Sequence, residues 1–301
     1  MRAAAILGPG NVSECLKKFQ RVEGVEWTDS VDQVDAVVIF GGDGTVHRHL
    51  PTLVSSQLPA LVVPRGSGND FARALKLSMV SDSLNAWRKF VTGGKNVRAI
   101  DLGVVEQLIP NLEFAGGALF DFAQGRSAPH DQVQHYFCCI AGVGLDAKVA
   151  KRANALPKWM RSHGGYFFCA PREFLRFAPF PMRVSCNGQT STGFEPTVLA
   201  AVANAPAYGG GMKIAPQAKL DDGKLDVCVV RGMDTFKLFC LFPTVYFGRH
   251  LGFKEVEYTQ TPVVRIDTEH SLDVYADGEY VCQTPAEFSV ARNALKVIVP
   301  E

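Results

Sequence analysis

Two unbroken apolar runs, each halted by a glycine loop, constrain this chain more than any other feature. The first, at residues 34–40, ends in Val37-Val38-Ile39-Phe40 and drops into Gly41-Gly42-Asp43-Gly44-Thr45. The second, Pro59-Ala60-Leu61-Val62-Val63-Pro64, drops into Arg65-Gly66-Ser67-Gly68-Asn69-Asp70. A strand with one wet face alternates apolar and polar residues, whereas a run apolar at nearly every position is covered on both faces. Residues 3–7 predict a further strand. Helices are predicted at 11–20, 45–56, 71–77 and 81–91, with Asn11 or Ser13 capping the first and Pro51 disturbing the second. Strands alternating with helices predict an α/β domain on a mostly parallel sheet.

From residue 97 the pattern changes. Short strand-like runs at 99–105, 136–141, 182–186, 198–203, 225–230, 263–266, 272–275 and 295–299 are separated by turn residues. Helical stretches at 146–154 and 166–177 interrupt them. This predicts a second, mainly β domain of antiparallel sheets. The boundary falls near Gly93-Gly94-Lys95-Asn96 and divides 1–96 from 97–301, the C-terminal residues being left open to return to the first domain.

Composition narrows the function classes. With 31 Lys and Arg against 30 Asp and Glu, the net charge of +1 argues against a general nucleic-acid binder. None of the eight cysteines forms a C-x-x-C pair, and most, such as Cys138, Cys139 and Cys228, lie in apolar runs. They read as buried thiols in a reducing compartment. The late apolar run at 238–247 contains Pro243 and falls far short of the ~20 residues of a membrane span. The first apolar run is too short for a signal-peptide core, so a cytoplasmic protein is expected.

Ligands in open α/β sheets bind beyond the carboxyl ends of the strands. Glycines there let backbone N–H groups converge on an anion, and a helix N-terminus adds partial positive charge. One such loop is an ordinary strand-to-helix turn. Two on successive strands, each carrying an aspartate, point to a phosphate site. Asp43 would repel a phosphate unless a cation lay between them, a role Mg²⁺ fills in nucleotide sites. The Walker pattern G-x-x-x-x-G-K-[ST] is absent, so this is another kind of nucleotide loop.

With Pro64 to Leu75 reading PRGSGNDFARAL after GGDGT, the sequence resembles the catalytic domain of the diacylglycerol-kinase-like lipid kinases, particularly the small soluble bacterial type related to sphingosine kinases and NAD kinases. The resemblance continues through Gly142-Val143-Gly144-Leu145-Asp146-Ala147, Asn204-Ala205, Gly209-Gly210-Gly211, Ala215-Pro216, Asp221-Asp222-Gly223-Lys224 and Asp277-Gly278-Glu279. It implies an NAD-kinase/phosphofructokinase-like α/β domain followed by a β-sandwich domain. It implies ATP and Mg²⁺, a primary lipid hydroxyl as acceptor with diacylglycerol first among candidates, and peripheral membrane contact during turnover. No nucleic-acid partner is expected, and a homodimer stays open. By the same resemblance Gly41, Gly42, Asp43, Gly44 and Thr45, with Gly66, Ser67, Gly68, Asn69 and Asp70, form the nucleotide site, with Asp43 near Mg²⁺ and the γ-phosphate. Glu279, with Asp277 beside it, supplies the base. Asp222 and the main-chain carbonyls of Lys219 and Lys224 hold a structural Mg²⁺. Without the resemblance, the Asp-Gly pairs at 222–223 and 277–278 are hairpin turns.

Some positions depart from the family pattern. His47 and Arg48 stand where Asn-Glu is usual, Ser67 replaces a Thr, and Gly8-Pro9-Gly10-Asn11 stands in place of an Asn-Pro-x-Ser-Gly loop. Two alternatives therefore stay open: an NAD-kinase-like phosphotransferase on a soluble substrate, and a nucleotide- or lipid-binding relative without catalysis. The Thr-Pro-Thr-Gly-Ser signature of NAD kinases is not apparent. Gly142 to Ala147 also fits the dinucleotide pattern G-x-G-x-x-A, but no acid follows at the spacing that pattern needs. His47 and His49, two apart, would face different ways on a helix. Tyr166, Phe167, Phe168, Phe174, Phe177 and Phe180 read as core rather than an acyl cleft, and Lys148, Lys151, Arg152, Lys158 and Arg161 as a solvated face rather than a membrane patch.

Overall fold

The computed structural model describes residues 1–108, 134–154, 173–174, 178–186 and 193–300. The helix expected at 166–177 lies outside these residues except for 173–174, which are helical. Cys169, Lys158, Arg161 and the aromatic residues 166–168 and 177 lie outside them altogether.

The first part is built as its apolar runs predict. Its elements are β1 (Arg2–Leu7), α1 (Ser13–Gln20), β2 (Glu26–Thr28), β3 (Ala36–Gly41), α2 (Asp43–Ser56), β4 (Ala60–Pro64), α3 (Asp70–Ala74) and α4 (Val80–Val91). The strands run parallel in the order β2-β1-β3-β4. Every residue of β3 and β4 is buried, so neither face of these strands meets water. On one face, Ser83 Oγ of α4 donates to the Val62 carbonyl at 2.8 Å. Trp87 of the same helix is fully buried, with ring centroids 5.8 Å from Trp27 and 5.7 Å from Phe90. Contrary to expectation, Pro51 does not break α2, which runs unbroken to Ser56. The proline is exposed, so the backbone bond it cannot make is lost on the water-facing side.

The second part comprises β5 (Val97–Gln107), β6 (His135–Phe137), β7 (Ile140–Gly144), α5 (Leu145–Asn154), β8 (Phe180–Cys186), β9 (Glu195–Ala203), β10 (Leu225–Arg231), α6 (Thr235–Val245), β11 (Val256–Thr261), β12 (Val263–Thr268), β13 (Asp273–Ala276), β14 (Glu279–Gln283) and β15 (Ala286–Ile298). The pairings among its strands are antiparallel. The single strand expected at 136–141 is two, β6 and β7, separated by a bend at Cys138 and Cys139. β11 and β14 escape the sequence reading because both are short and largely polar on their outward positions.

The two parts share one sheet, in the order β14-β13-β7-β9-β8-β12-β15-β4-β3-β1-β2. The join is β15, which pairs antiparallel with β5 along both of its halves and with β12, and parallel with β4 through Val297 and Ala60. The C-terminal strand therefore returns to the first sheet. One buried apolar cluster fills the α/β part and reaches α6, and a second, with Val105, Phe137, Val143, Ile266 and Phe288, lies inside the β part.

Phe137 is fully buried over Gly103, its partner across the β5–β6 pair. A methyl group at Gly103 would sit within the Phe137 ring. Gly103→Ala is expected to lower the stability by about 1–3 kcal/mol through overpacking. A urea-unfolding midpoint equal to that of the parent chain would show that the ring moves aside.

Candidate active site

Three loops at the carboxyl ends of β1, β3 and β4 meet. Gly8 donates its N–H to the Phe40 carbonyl at 2.8 Å, and Arg65 N–H donates to Gly41 O at 2.9 Å. Gly42 and Gly66 touch backbone to backbone: a Cβ on Gly66 would lie 2.5 Å from Gly42 Cα. No residue with a side chain fits at that crossing. Asn69 closes the second loop on itself. Its Oδ1 accepts from Gly66 N–H and its Nδ2 donates to Gly66 O, both at 2.7 Å. Asn11 O of the variant first loop accepts from Arg65 Nη2 at 3.2 Å, so that loop is tied to the other two. Thr45 is buried under Gly8 and Gly41, whereas Ser67 is exposed at the loop tip.

Asp43 is the first residue of α2, yet its carboxylate serves the neighbouring loop. Oδ2 accepts from Asp70 N–H at 3.1 Å and Oδ1 from Phe71 N–H at 3.0 Å, capping α3. Asp70 is itself buried; its Oδ1 accepts from Arg73 Nη1 and its Oδ2 from Gly210 N–H, both at 2.8 Å. Burial pushes the Asp43 carboxyl up to about 6, and the nearby Asp70 charge adds to this, while the two backbone N–H groups oppose it. Burial also raises Asp70. A Cβ built on Gly68 would lie 2.9 Å from Asp43 Oδ2 and 3.3 Å from Asp70 Oδ2, so both oxygens crowd the same glycine and lie near one another. That cradle suits a hard divalent cation that takes one or two carboxylates and completes its shell with phosphate oxygens and water. Among the described residues no group of three or more His, Cys, Asp or Glu side chains forms a closed metal site.

The β13–β14 hairpin closes the opposite wall. Its two turn residues, Asp277 and Gly278, both have positive φ (49° and 86°), the geometry that Asp-Gly favours. Asp277 is saturated with donors. Oδ2 accepts from Cys138 N–H at 2.7 Å, and Oδ1 from Cys139 N–H at 2.8 Å and Ile140 N–H at 3.2 Å. This is what bends the chain between β6 and β7. His47 Nδ1 lies 3.3 Å from Asp277 Oδ2. Burial lowers the His47 pKa, but the hydrogen bond to Asp277 and the charges of Asp277 and Glu279 outweigh it and leave a net rise. Glu279 is exposed, with Oε1 only 3.3 Å from where a Cβ on Gly44 would stand. Of the acids expected as the base, Glu279 faces open space beside the GGDGT loop, while Asp277 is held by backbone. Arg48, the other departure, is exposed.

Other expected positions fall elsewhere. Asp222 Oδ1 accepts from Lys224 N–H at 3.1 Å and closes a tight turn just before β10; this is not the hairpin the Asp-Gly pair suggested, because no strand immediately precedes it. Around that turn Arg98 pairs with Asp221 at 2.5 Å, and Asp101 Oδ2 accepts from Gly223 N–H at 2.7 Å. Gly142-Val143-Gly144 is a central antiparallel strand between β13 and β9, which excludes a dinucleotide βαβ unit. Asp146, in the first turn of α5, accepts instead from Tyr208 Oη at 2.6 Å, and burial pushes it up to about 6. The pair was not anticipated; the only signal was an acid at a helix start after a glycine strand. It borders an apolar cavity of about 50 Å³ lined by Val149, Phe174, Leu199, Met212, Leu241 and Val245 among others. The cations of α5 are engaged: Lys151 pairs with Asp273 at 2.8 Å, Arg152 with Glu173, and Lys148 lies 4.7 Å from the Phe180 ring centroid.

Because the folded value of His47 is raised, the stability its pair with Asp277 adds is present below about pH 6.5 and lost as pH rises through that folded value. Relative to His47→Gln, the parent chain should be more stable at pH 6 than at pH 8, as read by thermal melts. In Asp277→Asn the His47 imidazole should titrate lower by NMR; an unchanged value would remove Asp277 as the cause.

Two family profiles match the chain. The diacylglycerol kinase catalytic domain covers residues 8–105, and the YegS C-terminal NAD kinase beta sandwich-like domain covers residues 139–299. A protein named diacylglycerol kinase from Mycobacterium tuberculosis (strain ATCC 25618 / H37Rv) is 31% identical over 266 residues, which is 88% of this chain and 77% of that one. A diacylglycerol kinase of Bacillus subtilis (strain 168) is 24% identical over 271 residues, 89% of this chain and 79% of that one. A crystal structure of a diacylglycerol kinase from Bacillus anthracis str. Sterne has the same fold, with a TM-score of 0.63 at 18% identity over 99% of this chain and 96% of that one. The order of glycine loops, the sandwich behind them and this kinship agree: the chain belongs to the diacylglycerol-kinase-like lipid kinases, enzymes that phosphorylate an alcohol acceptor.

Proposed function

We propose that this lipid kinase transfers the γ-phosphoryl group of ATP, with Mg²⁺, to the primary hydroxyl of diacylglycerol, giving phosphatidate. The observation that carries the reading is a pair of carboxylates, half-buried Asp43 and buried Asp70, crowded against Gly68, with the exposed Glu279 against Gly44 of the GGDGT loop. The diacylglycerol kinases at 31% and 24% identity support diacylglycerol as the acceptor.

The protein's part in phosphoryl transfer is to position groups and stabilise charge. The N–H groups of Asp43 and Gly44, in the first turn of α2, have no helical partner by position and carry the positive end of the helix dipole. They and the tip of the loop at Gly66, Ser67 and Gly68 line the phosphates. Asp43 and Asp70 would hold Mg²⁺, which neutralises the charge that builds on the transferred group. Glu279 accepts the hydroxyl proton as the acceptor oxygen attacks. Asp277 keeps its own carboxylate on the backbone of residues 138–140 and so fixes the hairpin that carries Glu279. His47, in place of the usual Asn, is seated on that same aspartate and keeps the site assembled.

The test is transfer of radiolabel from ATP to diacylglycerol, a sphingoid base, an isoprenoid alcohol and NAD. Labelled phosphatidate is the expected product; label on NAD alone would overturn the lipid acceptor. Asp43→Ala should abolish transfer while the chain stays folded, and near-normal turnover would sink the site. Glu279→Gln should lower kcat by about 10²–10⁴ with KM for ATP unchanged. A drop below tenfold would remove Glu279 as the base.

A further inference from the structure

We propose that the outward face of α6 is the surface on which this enzyme rests on an anionic lipid bilayer; this builds on the lipid-acceptor reading above. The helix is apolar on two sides. Its inner residues Leu238, Leu241, Phe242 and Val245 line the cavity. Facing out, Phe236, Cys240 and Pro243 recur at i, i+4 and i+7, and Phe247, just past the helix end, continues the stripe. Phe236 is 80% exposed and Phe247 74%. Lys237, the single charge between them, is turned aside into a 2.5 Å pair with Glu255. A surface helix with an aromatic stripe on the side away from its own core marks an interaction site.

Three observations select a bilayer as the occupant. The first is continuity with the transfer site. Gly210 N–H donates to Asp70 Oδ2 at 2.8 Å, and three residues on Lys213 N–H donates to Val245 O at 3.1 Å, so one short segment ties the C-terminal end of the stripe to the cleft. The second is size. The cavity behind α6, of about 50 Å³, has room for one or two waters and takes no acyl tail, so a lipid meeting this helix meets its outer stripe. The third is charge. Lys213, whose N–H donates to Val245 O at 3.1 Å, and Arg249 stand exposed at this same end, and neither forms an ion pair among the described residues. The cations of α5 are engaged, as described above, whereas these two are placed to meet anionic headgroups. A second copy of the chain is a poorer occupant. The two phenylalanines offer roughly 300 Å², well short of the ~800 Å² per partner of a stable dimer.

The test is co-sedimentation of the full chain with vesicles of phosphatidylcholine and phosphatidylglycerol, without ATP or acceptor. The double variant Phe236→Gln, Phe247→Gln should lose at least tenfold in partition with an unchanged melting temperature. Lys213→Gln, Arg249→Gln should lose about fivefold per charge on the mixed vesicles and nothing on pure phosphatidylcholine. The phenylalanine variant should phosphorylate a short-chain, monomerically dispersed diacylglycerol within about twofold of the parent rate, while its rate on vesicle-borne diacylglycerol falls with partition. Equal partition of variant and parent overturns the proposal. So does a parent chain that ignores vesicles but sediments as a dimer that the phenylalanine variant dissolves. If the parent phosphorylates no lipid, the acceptor reading fails, and the vesicle measurement still decides the docking face.

Discussion

The carboxylate of Asp277 is the contact on which the site depends. It gathers three successive N–H groups, those of Cys138, Cys139 and Ile140, and it meets His47 from the first domain. An unpaired buried N–H costs on the order of 1–3 kcal/mol, so a bend exposing three of them inside the sheet would not persist without an acceptor. The same group sets three distances at once: the hairpin carrying Glu279, the strand leading to Asp146, and the face of α2 behind the GGDGT loop. The cleft is thus fixed by one side chain that takes no direct part in the transfer proposed for it.

Asp43 and Asp70 follow a related logic. Each carboxylate bonds to backbone from a distant part of the chain, Asp43 to the start of α3 and Asp70 to Gly210. Backbone donors hold the two charges close, and burial raises their proton affinity without removing either group. Such a pair of carboxylates is one that a divalent cation would stabilise.

The loops and most of the strands were legible in the sequence because their signals are local. A buried strand, its glycine stop and the following helix all lie within about a dozen residues; the strands at 36–41 and 60–64 form as read, while α2 starts at Asp43, two residues earlier than read. What escaped has partners far along the chain. Asp277 and Gly278 were readable as a turn, but the bend at Cys138 has its cause 139 residues away. Asp146 looked like part of a nucleotide fingerprint because the pattern does not say whether its strand is parallel; pairing with β9 and β13 makes it antiparallel. The apolar run ending at Phe247 was rightly read as too short to span a membrane. Its amphipathic period was hidden, since both faces of α6 are apolar and only exposure tells them apart.

The place of β15 has a consequence for how the molecule is made. During synthesis the loops of β1, β3 and β4 are complete within the first seventy residues, but the outer edge of β4 stays open until residues 286–298 emerge. An unpaired strand edge is a site for wrong partners, and a contact spanning more than two hundred residues is slow to close. The glycine loops thus precede by roughly two hundred residues both the hairpin bearing Glu279 and the strand that covers the edge of β4.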